Sequence, residues 1–276
     1  MSAEDDVTDE ARSKGDDTDP RAGDEEPRDP DDEAGADDEG AEEPGPPPKP
    51  AIAPRSALPI ALAVTIATGA VVRYAFAAEQ AGSWGMLVAM AGGYAPFAAL
   101  AVWVMRKEGR LSEIVPRRGD LAFGALLAGV MYGGAMAVRQ LALDPTSPRS
   151  WWIARIYLQL GDTSNNRMLY VGLAVLVIAV LEELAWRGLV MRALRSLLGP
   201  MRAWLLSSAL YAIAHLATVS LLAHPHAGPN PLVVIAALGG GLVWGHLYNR
   251  MDRLGPSLFA HAIFTWAIVD FPLWRP

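Results

Sequence analysis

The chain has 276 residues, 52% of them hydrophobic, with 30 acidic and 23 basic side chains and no cysteine. Without cysteine there can be no disulfide, no thiolate metal site and no cysteine nucleophile. The basic residues flank apolar runs and form no separate patch, which argues against a nucleic-acid partner. The first 50 residues hold 20 Asp and Glu against five Lys and Arg, a net charge of −15; the remaining 226 hold 10 against 18, a net of +8. With almost no large apolar side chain and a Pro-rich run over 44–50, that head cannot bury enough surface to offset chain entropy. Residues 1–55 are therefore read as a disordered acidic tail and 56–276 as a transmembrane helical domain. The tail either keeps the N-terminus soluble or docks a basic partner. No basic region followed by a short apolar stretch opens the chain, so no cleavable signal peptide is expected.

A bilayer core about 30 Å thick needs roughly 20 apolar residues in a helix. Seven runs meet that length: Ala57–Ala78, Trp84–Met105, Leu121–Leu141, Leu169–Val190, Ala203–Leu222, Leu232–Asn249 and Pro256–Trp274. Between the third and fourth, Trp151–Leu160 is too short to span, and its paired Trp residues suit an interfacial helix or a short eighth span. The fold class expected is all-α, a polytopic membrane bundle of about seven helices. Basic residues concentrate in the breaks at 106–118, 192–202 and 250–253, whereas the break after the fifth run has none. Placing those breaks inside gives a multi-pass protein of the cell (inner) membrane with a cytoplasmic N-terminus.

Ionisable residues within the apolar runs are the next signal, because each costs on the order of 2.5–3.5 kcal/mol near a helix centre. The first three runs have none at their centres, since Arg73 and Arg139 lie near span ends where they can snorkel, and they read as framework helices. The fourth contains Glu182, Glu183 and Arg187. Glu183 and Arg187, four apart, share a face and can pair; Glu182 lies roughly 100° round the helix with no local partner. The bland alternative is a helix end whose charges reach the interface. The fifth run carries Tyr211 and His215 one turn apart, and the seventh carries His261 and Thr265 at the same spacing. Each histidine alone reads more readily as a satisfied structural group. Together, a carboxylate pair and two imidazoles can activate water in two ways. Glu182 can act as a base with the histidines binding an oxyanion, or Glu182, His215 and His261 can ligate a zinc ion. The spacing leaves both open, so the cofactor is either none or Zn²⁺.

These residues resemble the CPBP family of CAAX-prenyl-protease and bacteriocin-processing (Abi) membrane proteases. Its first motif, two glutamates followed four residues later by arginine and then glycine, is matched by Glu182, Glu183, Arg187 and Gly188. Its second, an aromatic residue four before a histidine, is matched by Tyr211 and His215. Its third pairs a histidine with Asn or Asp four residues on; here His261 is followed by Thr265, a departure that weakens the expected chemistry and leaves room for a group such as His246. A Gly-rich helix (Gly239, Gly240, Gly241, Gly245) and the turn Leu254–Ser257 also resemble the family. The resemblance spans residues 169–266. It implies peptide-bond hydrolysis in the membrane, with Glu182 activating water, Glu183 as its partner, Arg187 orienting the pair, and His215 and His261 serving the oxyanion or a metal. It also implies a membrane-anchored or lipidated peptide substrate within a lipid environment. The rival reading uses the same polar cluster in a non-catalytic scaffold or a proton-coupled transporter. Oligomeric state is not legible, because a Gly-rich helix packs equally well within or between chains.

Overall fold

Proline opens three of the helices, at Pro54, Pro200 and Pro256, where its missing N–H costs nothing and its fixed φ suits the first turn. The computed structural model describes residues 51–143, 146–161 and 166–273; the acidic head lies outside the described residues. The helices run in order as α1 Pro54–Ala75, α2 Trp84–Lys107, α3 Asp120–Ala142, α4 Ser150–Leu160 and α5 Asn166–Glu183. They continue as α6 Arg192–Leu198, α7 Pro200–Ala214, α8 Thr218–Leu221, α9 Leu232–Met251 and α10 Gly255–Asp270. Between α5 and α6 the chain stays helical through a π-helical stretch, Leu184–Met191. The described residues contain no strand beyond one isolated bridge, His224 to Gly228.

Among the described residues, six helices are long and apolar enough to cross a membrane. The seventh expected run forms α10, whose 16 residues rise only about 24 Å. It nonetheless sits inside the bundle, against α3, α5 and α9. The eleven-residue α4 is too short to span, as expected. Large apolar side chains such as Ile66, Val88, Leu126, Val130 and Leu141 face outward, a surface suited to lipid rather than water.

Two expected boundaries shift, both with consequences for the site. The fourth run continues to Leu198 as one span, so Glu182 and Glu183 lie at its middle and the helix-end reading falls. The fifth helix breaks at His215, which is the C-cap of α7 with φ −94° and ψ 1°.

Helix ends gather into two groups. At one, Arg192 joins Glu108 at 2.8 Å and also pairs with Glu113, while Arg195 reaches Asp252 at 2.7 Å. Arg110 bonds Glu113 and, at 2.5 Å, Asp252, and Arg253 meets Asp120 at 2.7 Å. This basic end ties the segment 108–120 to α6 and to the α9–α10 turn. Burial pushes the Glu113 carboxyl up despite its arginines. For Asp252 burial also pushes up, but Arg195 and Arg110 outweigh it and hold the carboxyl below its usual value. At the opposite end, Gln159 donates to the Ala75 carbonyl at 3.0 Å, Asn230 to that of Trp152 at 2.9 Å, and Tyr157 to that of Ile268 at 2.8 Å.

Candidate active site

Glu182 and Glu183 are neighbours in sequence but meet different surroundings, because successive helical residues point about 100° apart. Glu182 accepts a hydrogen bond from the Tyr211 hydroxyl at 2.9 Å and lines a cavity. Glu183 is fully buried and faces away from that cavity. One of its oxygens contacts both Arg187, at 3.0 Å, and His261 Nδ1, at 3.0 Å. Glu183 is thus the partner of Arg187 and His261 more than of Glu182, which refines the role expected for it.

Arg187 is 1% exposed in the middle of a helix long enough to span a membrane, so its charge must be answered locally. Glu183 supplies the counter-charge. The carbonyls of Gly240 and Gly241 lie 3.5 and 3.3 Å from its Nη2, and the rings of Tyr211 and Trp244 lie 5.4 and 5.6 Å from its guanidinium carbon, within cation–π range. The glycines permit this approach. A Cβ on Gly240 would lie 2.4 Å from the Trp244 ring, and one on Gly241 would lie 3.2 Å from Ser208 of α7. The π-helical turn carries Arg187, and all eight of its residues are buried; such turns are rare and concentrate at functional sites.

His261 stacks on Trp244 with ring centroids 3.7 Å apart and planes 17° from parallel. Its Nδ1–H donates to Glu183, and its Nε2 is 3.5 Å from Glu182. His215 bonds the Tyr211 carbonyl through Nδ1 at 2.8 Å. A carbonyl only accepts, so Nδ1 carries the proton and Nε2 is left as the polar atom available to a reactant. The structure therefore brings together Glu182, Glu183, Arg187, Tyr211, His215 and His261 from α5, the π-helical turn, α7 and α10. Thr265 lines the same cavity but forms no hydrogen bond among the described residues. His246 does not belong: it is exposed, meets the Trp204 ring at a tilt with centroids 5.2 Å apart and borders a separate apolar groove near Arg250.

Two contributors are absent from the sequence reading. Trp244 supplies the surface on which His261 lies. Tyr94 of α2, 1% exposed, turns its hydroxyl toward Glu182, Trp186 and Thr68 without completing a hydrogen bond to any. Nothing distinguishes either from an ordinary core aromatic until the helices are assembled.

The cavity above Glu182 has a volume of about 220 Å³, and apart from the polar groups at its floor it is walled by apolar side chains such as Met90, Ile178 and Phe264. That volume holds several waters or a few side chains of an extended peptide, whereas a helix 10–12 Å across would not fit. Among the described residues, no three His, Asp or Glu side chains are grouped to hold a metal ion. The donor set therefore does not fit a zinc site, and no step is routed through one.

Neither a curated protein nor a solved structure matches the chain. Residues 164–267 match the family model described as type II CAAX prenyl endopeptidase Rce1-like. That segment contains α5 through most of α10, hence Glu182, Glu183, Arg187, Tyr211, His215 and His261 but not Tyr94. Over residues 164–267 the chain is thus similar to the Rce1-like family, which matches the CPBP/CAAX protease group.

Proposed function

We propose that the protein is an endopeptidase that hydrolyses a peptide bond of a membrane-anchored or lipidated substrate within the bilayer, using water activated by Glu182. The observation that carries this reading is the Glu182 carboxylate at the floor of the cavity, held at 2.9 Å by Tyr211 and flanked by two imidazoles that line the same space. A water between Glu182 and the substrate carbonyl gives its proton to the carboxylate as its oxygen bonds the carbonyl carbon. The oxyanion that forms is met by an N–H of a protonated His215 or His261. For His261 the fully buried Glu183 supports that charge and fixes the ring. Collapse breaks the C–N bond, and the proton held on Glu182 passes to the leaving amine. Arg187 does not touch substrate; it holds Glu183, and through it His261, so it is a positioning residue. Thr265 can offer a hydroxyl to the peptide from the cavity wall, a weaker hold than an amide or carboxylate would provide.

The reaction class fits the Rce1-like match, and the apolar walls fit a substrate that arrives in lipid. The cell membrane, with the basic end in the cytoplasm, is the location the charge distribution favours.

The test is cleavage of a panel of prenylated and single-span peptides by the detergent-purified protein, read by mass spectrometry. Wild type should cut a panel member, whereas Glu182→Ala and His215→Ala should not, and a zinc chelator should leave the wild-type rate unchanged. Variants that cut as well as wild type would remove the proposed site, and loss of activity on chelation would replace the glutamate mechanism with a metal-dependent one.

A further inference from the structure

The two ends of the bundle differ in charge and in access to Glu182. Segments 106–118, 192–202 and 250–253 at the basic end carry ten Lys and Arg, against six that the sequence puts at or near the opposite end: Arg73, Arg139, Arg149, Arg155, Arg167 and Arg275. The excess marks the basic end as cytoplasmic. That end is also closed. Beyond Glu183 the π-helical turn is wholly buried, Arg187 is held between the Tyr211 and Trp244 rings, and the ion pairs around Glu113 and Arg192 join the helix ends beneath them.

The cavity lies on the other side. Its walls come from the last residue before the α1–α2 turn (Phe76), the first turns of α2 (Met86, Met90), the part of α5 before Glu182, the first turns of α9 (Ala236) and the second half of α10 (Phe264). Apart from Trp244, which underlies His261, the lining residues of these helices fall between Glu182 and the end opposite the basic loops, so the space is shaped as a well with Glu182 and His261 at its bottom. His215, at the break that ends α7, also lies on this side.

We infer that the catalytic cavity opens toward the extracytoplasmic leaflet, so that the substrate is a membrane-anchored peptide presenting an extended, apolar segment from that side. The inference rests on the proposed function for the word substrate, but its geometry does not. A cytoplasmic opening would require passage through the buried π-helical turn and the ion-pair network. The narrow, apolar well selects a segment already unwound from its membrane helix, near where such a helix leaves the outer leaflet.

The chain has no native cysteine, so single substitutions report accessibility directly. Ala236→Cys in the cavity wall, His226→Cys in the loop at the same end and Arg118→Cys at the basic end would each be expressed in intact cells. Each would then be exposed to a membrane-impermeant maleimide before or after permeabilisation, with labelling of denatured protein as the reference. Ala236→Cys and His226→Cys should label in intact cells, and Arg118→Cys only after permeabilisation. Labelling of Arg118→Cys in intact cells would overturn the orientation. Failure of Ala236→Cys to label before permeabilisation while His226→Cys does so would overturn the opening. The measurement needs no catalysis, so an inactive protein leaves its outcome intact, and a cleavage result cannot substitute for it.

Discussion

A carboxylate in the middle of a membrane helix is useful as a base only if its surroundings keep it both placed and reachable. Glu182 meets both conditions through one hydroxyl and one cavity. A hydrogen bond to a charged group contributes about 1.5–3 kcal/mol. Tyr211→Phe keeps the ring beside Arg187 and His215 while deleting that bond, so kcat should fall roughly 10- to 100-fold with little change in thermal stability, measured by steady-state cleavage alongside detergent melting. An unchanged kcat would show that Tyr211 serves only to fill space. Five of the site residues were legible in the sequence for a physical reason: Glu182, Glu183, Arg187, His215 and His261 interrupt apolar runs where charge is costly. Tyr94 and Trp244 were not, because an aromatic residue in an apolar run is the ordinary content of a membrane helix. The division of labour between Glu182 and Glu183 was hidden too. It depends on which neighbouring helix each side chain meets, and spacing along one helix cannot report that.

At the scale of elements, the site depends on the way α9 packs against α7 and α10 and seats its own Trp244 beneath His261. Gly240 is the tightest point, since a Cβ there would lie 2.4 Å from the Trp244 ring, and that ring carries His261. Gly240→Ala should therefore displace Trp244 and with it His261, lowering kcat on the order of 100-fold, as misplacement by about 1 Å can do. Cleavage kinetics of a variant that still inserts and folds would check this, and a wild-type kcat would contradict it. The break at His215 was missed because hydropathy continues smoothly through it, and the central helix was drawn too short because Arg192 and Arg195 end its apolar run without ending the helix. The basic end offers a separate check. Asp252 has its carboxyl held below the usual value, so its contribution to stability is present above the ordinary carboxylate pKa of about 4 and is lost as pH falls below it. Asp252→Asn should shallow the fall in melting temperature between roughly pH 5 and pH 3 relative to wild type. Parallel curves would show that Asp252 adds no such dependence.

For the whole molecule, the membrane nature and the helical class were legible because runs of about 20 apolar residues have few other uses. Which end of the bundle is open was not, because a wall of a cavity and a packed helix face have the same composition. The ion pairs at the basic end join the helix ends below Glu182, and residues of α2, α5, α9 and α10 wall the cavity above it. A helix pair or a transporter's relay would not need this combination of a dead-end apolar well and a single base at its floor.

The most direct test of that account is hydrolysis in ¹⁸O-labelled water by protein reconstituted in lipid vesicles, comparing wild type with Glu182→Gln on a peptide substrate cut by the wild type. The account predicts one ¹⁸O in the new C-terminal carboxylate of the wild-type product, and a rate for Glu182→Gln about 100- to 10,000-fold lower, the usual loss for removing a general base. Equal rates from both proteins would contradict it.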